Sequence, residues 1–448
     1  MDINTAKSWK ILTINTLAFT VCFAVWLMYG VLVKFLSMPV LVDGQLFENG
    51  YLNLNDLKFY IIATPILTGS LLRLPVGILT DKFGGKPVYI VVLLITAIGA
   101  AMTAYMNTAV GFIISGLIFG IAGASFAVGI AYTSVWFDKS KQGTALGIFG
   151  AGNAGAAITS MCAPQLLGYL TGSTGKVEAL NSAGVTINAN VLTNPNGWTT
   201  LPIIYAILVL ITAIVFSFTA TNRVADSSAA KTLVERLRPL KNMQVWRFGF
   251  YYFLVFGGFV ALSQTLTDYY TTVFGVTLAT AGLLTTIFAL PSGVIRAVGG
   301  IWSDKSGARM VMYCIITACI AGCAFLSLGI GGIWIFTAVA CLVGIAMGIG
   351  KAAVYKHIPV YFPNEVGVVG GMVGVIGGLG GFVCPIIFGL LTDFTASAER
   401  PEGLYTTSWM FLTLISVFCL GWMLLAIRQK DAKKKKQSFD TQDCLVSK

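Results

Sequence analysis

Hydrophobic positions in this chain fall into long continuous runs, separated by short polar stretches. A helix needs about 20 mostly apolar residues to cross the hydrocarbon core of a bilayer, and these runs reach that length. We predict twelve membrane-spanning helices near 11–36, 59–80, 87–107, 110–136, 143–171, 201–219, 248–274, 277–302, 309–329, 333–356, 367–393 and 407–427. Some of these runs are separated by so few residues that tight hairpins are expected between them.

Composition agrees with a membrane protein. Hydrophobic residues make up 56% of the chain, charged residues only 10%, and the mean hydropathy is +0.82. A soluble domain carries about 25% charged residues because its surface must face water. The first apolar run, 11–36, is too long for the core of a signal peptide, so we expect no cleaved leader. The predicted fold class is therefore an all-α polytopic membrane protein.

Neither cysteines nor net charge point to another class. The nine cysteines match no metal or haem spacing, so we expect no metal site and no cofactor. The net charge of +11 does not indicate nucleic acid, because the basic residues sit in short loops and in the tail at 433–436. No nucleophile–base pair or nucleotide loop is visible, so an enzyme is not expected.

The distribution of Lys and Arg predicts the topology. Basic residues concentrate in alternate loops, which places both termini in the cytoplasm of an inner membrane, multi-pass protein. The charged stretch 220–247 then becomes a cytoplasmic linker. We predict an N-terminal six-helix bundle at 1–219, a C-terminal six-helix bundle at 248–427 and a basic cytoplasmic tail at 428–448.

The two halves carry a repeated motif. Segment 73–86 and segment 296–309 share Arg, Gly, Ile, Asp, Lys, Gly and a final basic residue in register. A duplicated bundle is the architecture of a carrier that binds its substrate between the halves. The motif resembles the cytoplasmic loop signature of the major facilitator superfamily, which implies two pseudo-symmetric bundles. Its conformation-controlling positions are Gly77, Asp81, Lys82, Gly84 and Lys86, then Gly300, Asp304, Lys305, Gly307 and Arg309.

Arg73 and Arg296 are predicted to lie deep in the membrane. Each precedes its loop aspartate by eight residues, about 12 Å of helix, and the hydrocarbon half-thickness is about 15 Å. An arginine there costs at least ~2.5–3.5 kcal/mol, which indicates a function. Two guanidinium forks could clamp one trigonal anion from both halves. The alternative is an ion pair with an acid of another helix, for which Asp268 is the deepest candidate.

Two spans are rich in glycine at helical spacing. Such stripes let another backbone approach closely, and they serve either as ordinary packing or as surfaces on which helices slide. They comprise Gly143, Gly147, Gly150 and Gly152 in the fifth span, and Gly370, Gly371, Gly374, Gly377 and Gly378 in the eleventh. Asn153 is predicted at the depth of the arginines, either as a binding group or as a contact between helices.

The twin arginines and the glycine segments together resemble the nitrate/nitrite porter family of the major facilitator superfamily. The resemblance implies a secondary transporter that works by alternating access. It implies that Arg73 and Arg296 bind nitrate or nitrite, with hydrogen bonds from Asn153 and Tyr252. By the same resemblance, a flat anion would lie between the rings of Phe126 and Phe256, which would also gate the path.

Coupling stays open at the sequence level. Lys351, Lys356 and His357 lie near the end of the tenth span, whereas familiar exchangers of this family are neutral at the Lys351 position. One interpretation places Lys356 and His357 at the cytoplasmic surface. The other gives Lys351 a part in proton coupling. Nitrate/nitrite exchange and nitrate:proton symport are therefore both retained.

Two other functions compete. An exchanger of small organic anions such as oxalate or formate also needs cations at the midplane. A nitrate sensor that does not transport would bind the same anion, although the tail here is short and basic. The expected partners are nitrate, nitrite, protons and the lipid bilayer, without nucleic acid, and we expect a monomer.

Overall fold

The computed structural model describes residues 5–182, 184, 186–224, 237–362, 366–397 and 403–446. Part of the predicted linker and the end of the predicted tail lie outside these residues. In the described chain, eleven helices are long and apolar enough to span a membrane. A twelfth is formed when Leu278–Val294 and Arg296–Ser306, which bend by 43° at their junction, are counted as one span. The predicted all-α polytopic fold with twelve spans is confirmed.

The helix bounds follow the predicted runs. The first six spans contain Thr5–Trp26 with Met28–Leu36, Lys58–Leu71 with Arg73–Phe83, Gly85–Thr103, Ala109–Phe119 with Ser125–Ser134, Lys139–Gly150 with Gly155–Leu170, and Thr200–Thr219. The last six contain Met243–Tyr252 with Gly258–Val273, Leu278–Val294 with Arg296–Ser306, Ala308–Ser327, Ile333–Tyr361, Val366–Phe394, and Thr406–Val446. The twelfth helix thus continues into the predicted tail.

Several spans change helix type at one level, which also carries the arginines. Short 3₁₀ segments occupy Gly120–Ala124 and Ala151–Ala154, and a π segment occupies Phe253–Gly257. Glycine destabilises a regular α-helix, so a change to a 3₁₀ or π segment costs less free energy where glycines occur. These segments change which carbonyls are engaged within the helix, and π segments are frequent at functional sites. The irregular level therefore supplies backbone groups to a site in the middle of the bundle.

The halves meet along two seams, the second span against the eleventh and the fifth against the eighth. In the fifth–eighth seam, a Cβ on Gly293 would lie 2.8 Å from the Ala154 nitrogen, so the backbones touch. Toward the loop motifs, a Cβ on Gly147 would lie 3.9 Å from the Ala297 Cα. In the second–eleventh seam, an added Cβ would lie 2.5 Å from the Phe59 ring at Gly389 and 3.9 Å from the Leu74 Cδ1 at Gly371, which is nearer the loop motifs. The halves are therefore packed more tightly at the end away from the loop motifs.

A small sheet, which the sequence analysis did not predict, covers that tighter end. Strands β1 (Val40–Val42), β2 (Gln45–Phe47), β3 (Ser173–Leu180) and β4 (Thr186–Leu192) pair in the order β2-β1-β4-β3. The strands come from the loops after the first and fifth spans, and β1 pairs parallel with β4. They were missed because they are short and lie in polar connections. The sheet joins two loops of the N-terminal half.

Candidate anion site between the halves

Arg73 links the two halves through backbone carbonyls. Only 2% of the residue is exposed, at the start of helix Arg73–Phe83. Its Nη1 donates to the Gly374 carbonyl of the other half at 2.9 Å, and its Nε donates to the Gly123 carbonyl at 3.3 Å. Its Nη2 has no hydrogen-bond partner among the described residues. The guanidinium is thus anchored on two sides and still offers a donor group.

Arg296 occupies the matching position in the other half but is held differently. The residue is 6% exposed, and its Nη1 finds no acceptor in the described part of the chain. Its side chain runs over Gly150, where an added Cβ would lie 2.8 Å from the Arg296 Cδ. The Cζ lies 5.7 Å from the centre of the Tyr355 ring. Packing against glycine and aromatic rings positions this guanidinium.

The two arginines converge on one aromatic ring. The centre of Phe126 lies 5.2 Å from the Cζ of Arg73 and 5.2 Å from the Cζ of Arg296. Phe256 lies 4.8 Å from the Arg73 Cζ, and its ring is 6.3 Å from that of Phe126 with 22° between the planes. Ring faces carry negative charge density and attract cations. The residues predicted to enclose an anion are therefore assembled around the arginines.

Asn153 and Tyr252 bring further polar groups. Both residues are fully buried. Within the described ranges, the side-chain nitrogen and oxygen of Asn153 and the Tyr252 hydroxyl have no hydrogen-bond partner. Tyr252 stacks on Phe256 with ring centres 4.9 Å apart and parallel planes. A buried polar group without a partner costs about 1–3 kcal/mol, so such a cluster is typical of a site that binds a polar ligand.

Tyr355 also lines this site, although the sequence analysis gave it no role. Its ring lies edge-on to Tyr252 at 5.0 Å and to Phe126 at 6.3 Å. Its hydroxyl donates to the Gly370 carbonyl at 3.1 Å, one turn from the carbonyl that Arg73 uses. The sequence feature that could have pointed to Tyr355 is its position one helical turn after Lys351, which places a polar aromatic residue in the polar stretch of an otherwise apolar span.

The glycine segments contact the site itself. An added Cβ on Gly377 would overlap the Tyr252 ring, and one on Gly150 would press on Arg296. At these two positions the neighbours are therefore site side chains and not the backbone of another helix, so neither of the two interpretations of the glycine stripes describes them fully. The other predicted glycines lie on the same two helical stretches: Gly143, Gly147, Gly152, Gly370, Gly371, Gly374 and Gly378.

The two copies of the loop motif end the second and eighth spans. Gly84 and Gly307 have φ angles of 85° and 82°, a region that favours glycine and terminates each helix. Asp304 pairs with Lys356 of the tenth span, within the same half. The remaining motif positions lie on the same spans or just beyond them: Gly77, Asp81, Lys82, Lys86, Gly300, Lys305 and Arg309.

The three coupling candidates have different surroundings. Lys351 is fully buried, donates to the Ser292 hydroxyl at 3.2 Å and lies 3.1 Å from the centre of the Phe259 ring. Lys356 is partly exposed, as the surface interpretation predicts. His357 is only 7% exposed, and its Nδ1 donates to the carbonyl one turn back at 2.9 Å. The surface interpretation is therefore wrong for His357, which packs beneath neighbouring aromatic rings.

Asp268 does not neutralise the arginines. Its carboxylate pairs instead with Lys34 and Lys58 near the opposite end of the bundle. Neither Arg73 nor Arg296 forms an ion pair with any acid in the described chain. The alternative of a structural ion pair with Asp268 is thus contradicted, and two buried positive charges face one site without a carboxylate.

Comparison with known proteins identifies the family. The sequence model of the Major Facilitator Superfamily matches residues 11–277 and 248–444. The "Probable nitrate/nitrite antiporter NarK1" of Thermus thermophilus is 37% identical over 96% of this chain and 95% of its own length. The "Probable nitrate transporter NarT" of Staphylococcus epidermidis is 31% identical over 94% and 97%. The "Nitrite extrusion protein" of Bacillus subtilis is 27% identical over 94% and 95%.

Solved structures share the fold. The nucleoside transporter NupG superposes with a TM-score of 0.64 at 15% identity, over 93% of this chain and 98% of that chain. An inward-facing, unoccupied bacterial homolog of the human lysosomal transporter Spinster superposes with a TM-score of 0.65 at 15% identity, over 95% and 98%. The curated relatives NarK1 and NarT are named as an antiporter and a transporter, which confirms the prediction that the chain is not an enzyme. The chain belongs to the nitrate/nitrite porter family of the major facilitator superfamily.

Proposed function

We propose that this protein carries nitrate and nitrite across the cytoplasmic membrane by alternating access, with the anion held between Arg73 and Arg296. The observation that carries the proposal is the pairing of two buried guanidiniums, one from each half, over the single ring of Phe126. Relatives named for nitrate and nitrite support the choice of anion. The carrier works as a monomer with both termini in the cytoplasm, as its basic loops indicate.

A trigonal oxyanion matches the groups that lack partners. Guanidinium forks present parallel N–H donors that suit two oxygens of one flat ion. Asn153 and Tyr252 add neutral hydrogen-bonding groups that are unused by the described protein. Aromatic carbons contact other atoms at about 3.5 Å, so a flat ion between two rings needs a spacing of about 7 Å. The ring centres of Phe126 and Phe256 lie 6.3 Å apart, slightly less than this spacing. The rings would therefore have to move apart a little to admit nitrate, and further to admit a tetrahedral anion.

Alternating access uses the cross-half contact of Arg73. Rocking of the halves must change its hydrogen bond to the Gly374 carbonyl, because donor and acceptor belong to different halves. An anion that draws the guanidinium toward itself replaces that bond and neutralises the repulsion between the arginines. Binding then favours the closed arrangement over the parted one. The loop motifs set the relative stability of the two arrangements at the cytoplasmic end.

Of the two candidate transport modes, we favour exchange of nitrate for nitrite, because the Thermus relative is named as an antiporter. Proton symport is the second candidate and is carried by one observation, the complete burial of Lys351 beside the site-forming eighth span. Arginines do not titrate in proteins, so a proton-driven cycle needs another group. Lys351 supplies the ammonium that could lose its proton, whereas Lys356 is paired and partly exposed.

The deciding experiment is uptake of labelled nitrate into proteoliposomes. One set contains internal nitrite without a pH gradient, and the other contains no nitrite and has an imposed proton gradient. Uptake in the first set alone identifies an exchanger, and uptake in the second identifies a symporter. Preferential uptake of oxalate or formate over nitrate would favour the organic-anion alternative. Nitrate binding without uptake in either set would favour a sensor.

A further inference from the structure

The Asp268 carboxylate sits in a compact charged cluster far from the loop motifs. It is 2% exposed, near the end of helix Gly258–Val273. One oxygen lies 2.5 Å from the Lys34 ammonium, and the other lies 3.4 Å from the Lys58 ammonium. Tyr405 donates its hydroxyl proton to the second oxygen at 2.9 Å. The Thr272 hydroxyl donates to the first oxygen at 3.4 Å, so two cations and two hydroxyl donors surround the buried carboxylate.

The cluster joins the two halves. Lys34 and Lys58 belong to the first and second spans, whereas Asp268 belongs to the seventh and Tyr405 immediately precedes the twelfth. The lysine side chains are only 11% and 19% exposed. The halves cannot part at this end without separating the carboxylate from both ammonium groups. By contrast, the ion pair of Asp304 at the opposite end stays within one half.

The charges do not balance within one half. A carboxylate is itself a planar oxyanion, and two ammonium groups hold it much as they would hold a small anion from solution. Separation leaves two half-buried positive charges on the N-terminal half, which is unfavourable unless an anion compensates them. Lys176 of strand β3 lies across the same junction and donates to the Gly275 and Val276 carbonyls. The N-terminal half therefore presents three lysines where the outer mouth would open.

We propose that Lys34 and Lys58 form a receiving site for a small oxyanion at the outer mouth of the carrier. Asp268 occupies this site while the halves are closed at that end and leaves it when they part. An incoming anion then takes the place of the carboxylate, so that capture from outside and opening are coupled. The identity of the anion rests on the proposed function, whereas the closure by Asp268 does not.

Hydrogen–deuterium exchange of the full-length protein in lipid nanodiscs tests the closure without any substrate. Asp268→Asn should raise deuterium uptake in peptides covering 28–60 and 262–275, because the carboxylate no longer bridges the lysines. Glu178→Gln is the matched control, since it removes an exposed carboxylate of strand β3 at the same end that takes no part in this cluster, and it should leave these peptides unchanged. Unchanged uptake in Asp268→Asn, or an equal rise at both ends, would overturn the proposal.

Nitrate uptake by intact cells tests the receiving site, because only the outer face meets the added anion. Lys34→Gln and Lys58→Gln should each raise the external KM about threefold to tenfold, as loss of a steering charge does. The maximal rate should stay near the wild-type value. Lys10→Gln, which removes an exposed lysine of the first helix outside the cluster, should leave the external KM unchanged. Wild-type KM values in both outer variants would refute the site, whereas absence of uptake by the wild type would instead refute the proposed function.

Discussion

The two arginines come from equivalent positions of a repeat, but they are held in different ways. Arg73 is bonded to a carbonyl of its own half and to a carbonyl of the other half. Arg296 rests on the Phe126 and Tyr355 rings beside a glycine, with no hydrogen bond to the described residues. If the proposed anion binds here, we expect Arg73 to link its binding to the relative position of the halves, because Arg73 alone of the two bonds across them. We expect the Arg296 guanidinium, which is held by packing, to adjust to the anion.

The largest expected effect comes from removing the guanidinium fork. Arg296→Lys keeps the charge but loses the two parallel donors, each worth about 1.5–3 kcal/mol to a charged partner. Nitrate transport should fall by about 100-fold or more at unchanged folding. Arg73→Lys should cause the same loss and should also loosen the contact with the eleventh span. Initial rates of nitrate uptake in proteoliposomes provide the measurement. Arg223→Lys is the control, since the Arg223 Cζ lies 5.5 Å from the centre of the Trp136 ring, outside the site.

Normal transport by either lysine variant would contradict the clamp. The comparison is sharpened by hydrogen–deuterium exchange of peptides around Gly374. Arg73→Lys should raise exchange there because a cross-half hydrogen bond is lost. Arg296→Lys should not. Equal changes in the two variants would show that the arginines do not differ in role.

The glycine helices give the next largest effect. Gly150→Leu should displace Arg296, and Gly377→Leu should displace the Tyr252 ring. Both should therefore weaken nitrate binding by about tenfold or more, since overpacking a fitted site costs about 1–3 kcal/mol. Gly168→Leu lies in the fifth span with open space around it and serves as the control. Nitrate affinity that is retained in both site variants would return these positions to plain helix packing.

Lys351→Gln should have an effect that depends on the driving force. If the buried ammonium exchanges protons, uptake driven by a pH gradient should be lost while nitrate/nitrite exchange changes by less than about twofold. Parallel assays on the same proteoliposomes measure both. We expect anion binding to stay intact because the Lys351 ammonium donates to the Ser292 hydroxyl and is not one of the site groups that lack a hydrogen-bond partner. Unaltered proton-driven uptake would leave Lys351 a structural residue.

Tyr355→Phe should have the smallest effect. The ring that contacts Arg296 remains, and only the hydrogen bond to the Gly370 carbonyl is lost. A single hydrogen bond contributes about 0.5–1.5 kcal/mol, so transport should fall by about two- to tenfold. Transport by Tyr355→Leu should be lower still, because this change also removes the ring. An equal loss in the two variants would show that the hydroxyl, and not the ring, accounts for the contribution of Tyr355.

The sequence was most informative where the bilayer imposes strict rules. Span positions, the repeat and the depth of Arg73 and Arg296 all follow from hydrophobic length and helical rise, and the structure buries both arginines. It was least informative where partners come from distant segments. The bond from Arg73 to Gly374 links residues 301 positions apart, and no local pattern encodes it. The sheet that covers the end away from the loop motifs could not be predicted for the same reason.

Contacts to Asp268 and Tyr355 show the same limit. Asp268 was recognised as the deepest acid, but its pairing with lysines of two other spans required the folded arrangement. Tyr355 lies in a stretch that the sequence marks mainly by its charged residues. Its place in the site depends on contacts with rings on the fourth and seventh spans. Residue type and depth can be predicted from sequence, whereas the choice of partner is a property of the packed bundle.

Calorimetric titration of nitrate into the purified full-length protein measures anion binding separately from coupling and from the direction of transport. A clamp formed by the two arginines predicts one nitrate per wild-type chain, with affinity reduced about 100-fold in both Arg73→Lys and Arg296→Lys. Arg223→Lys should bind as the wild type does. Two nitrates per chain, or wild-type affinity in either lysine variant, would contradict a single anion clamped by one arginine from each half.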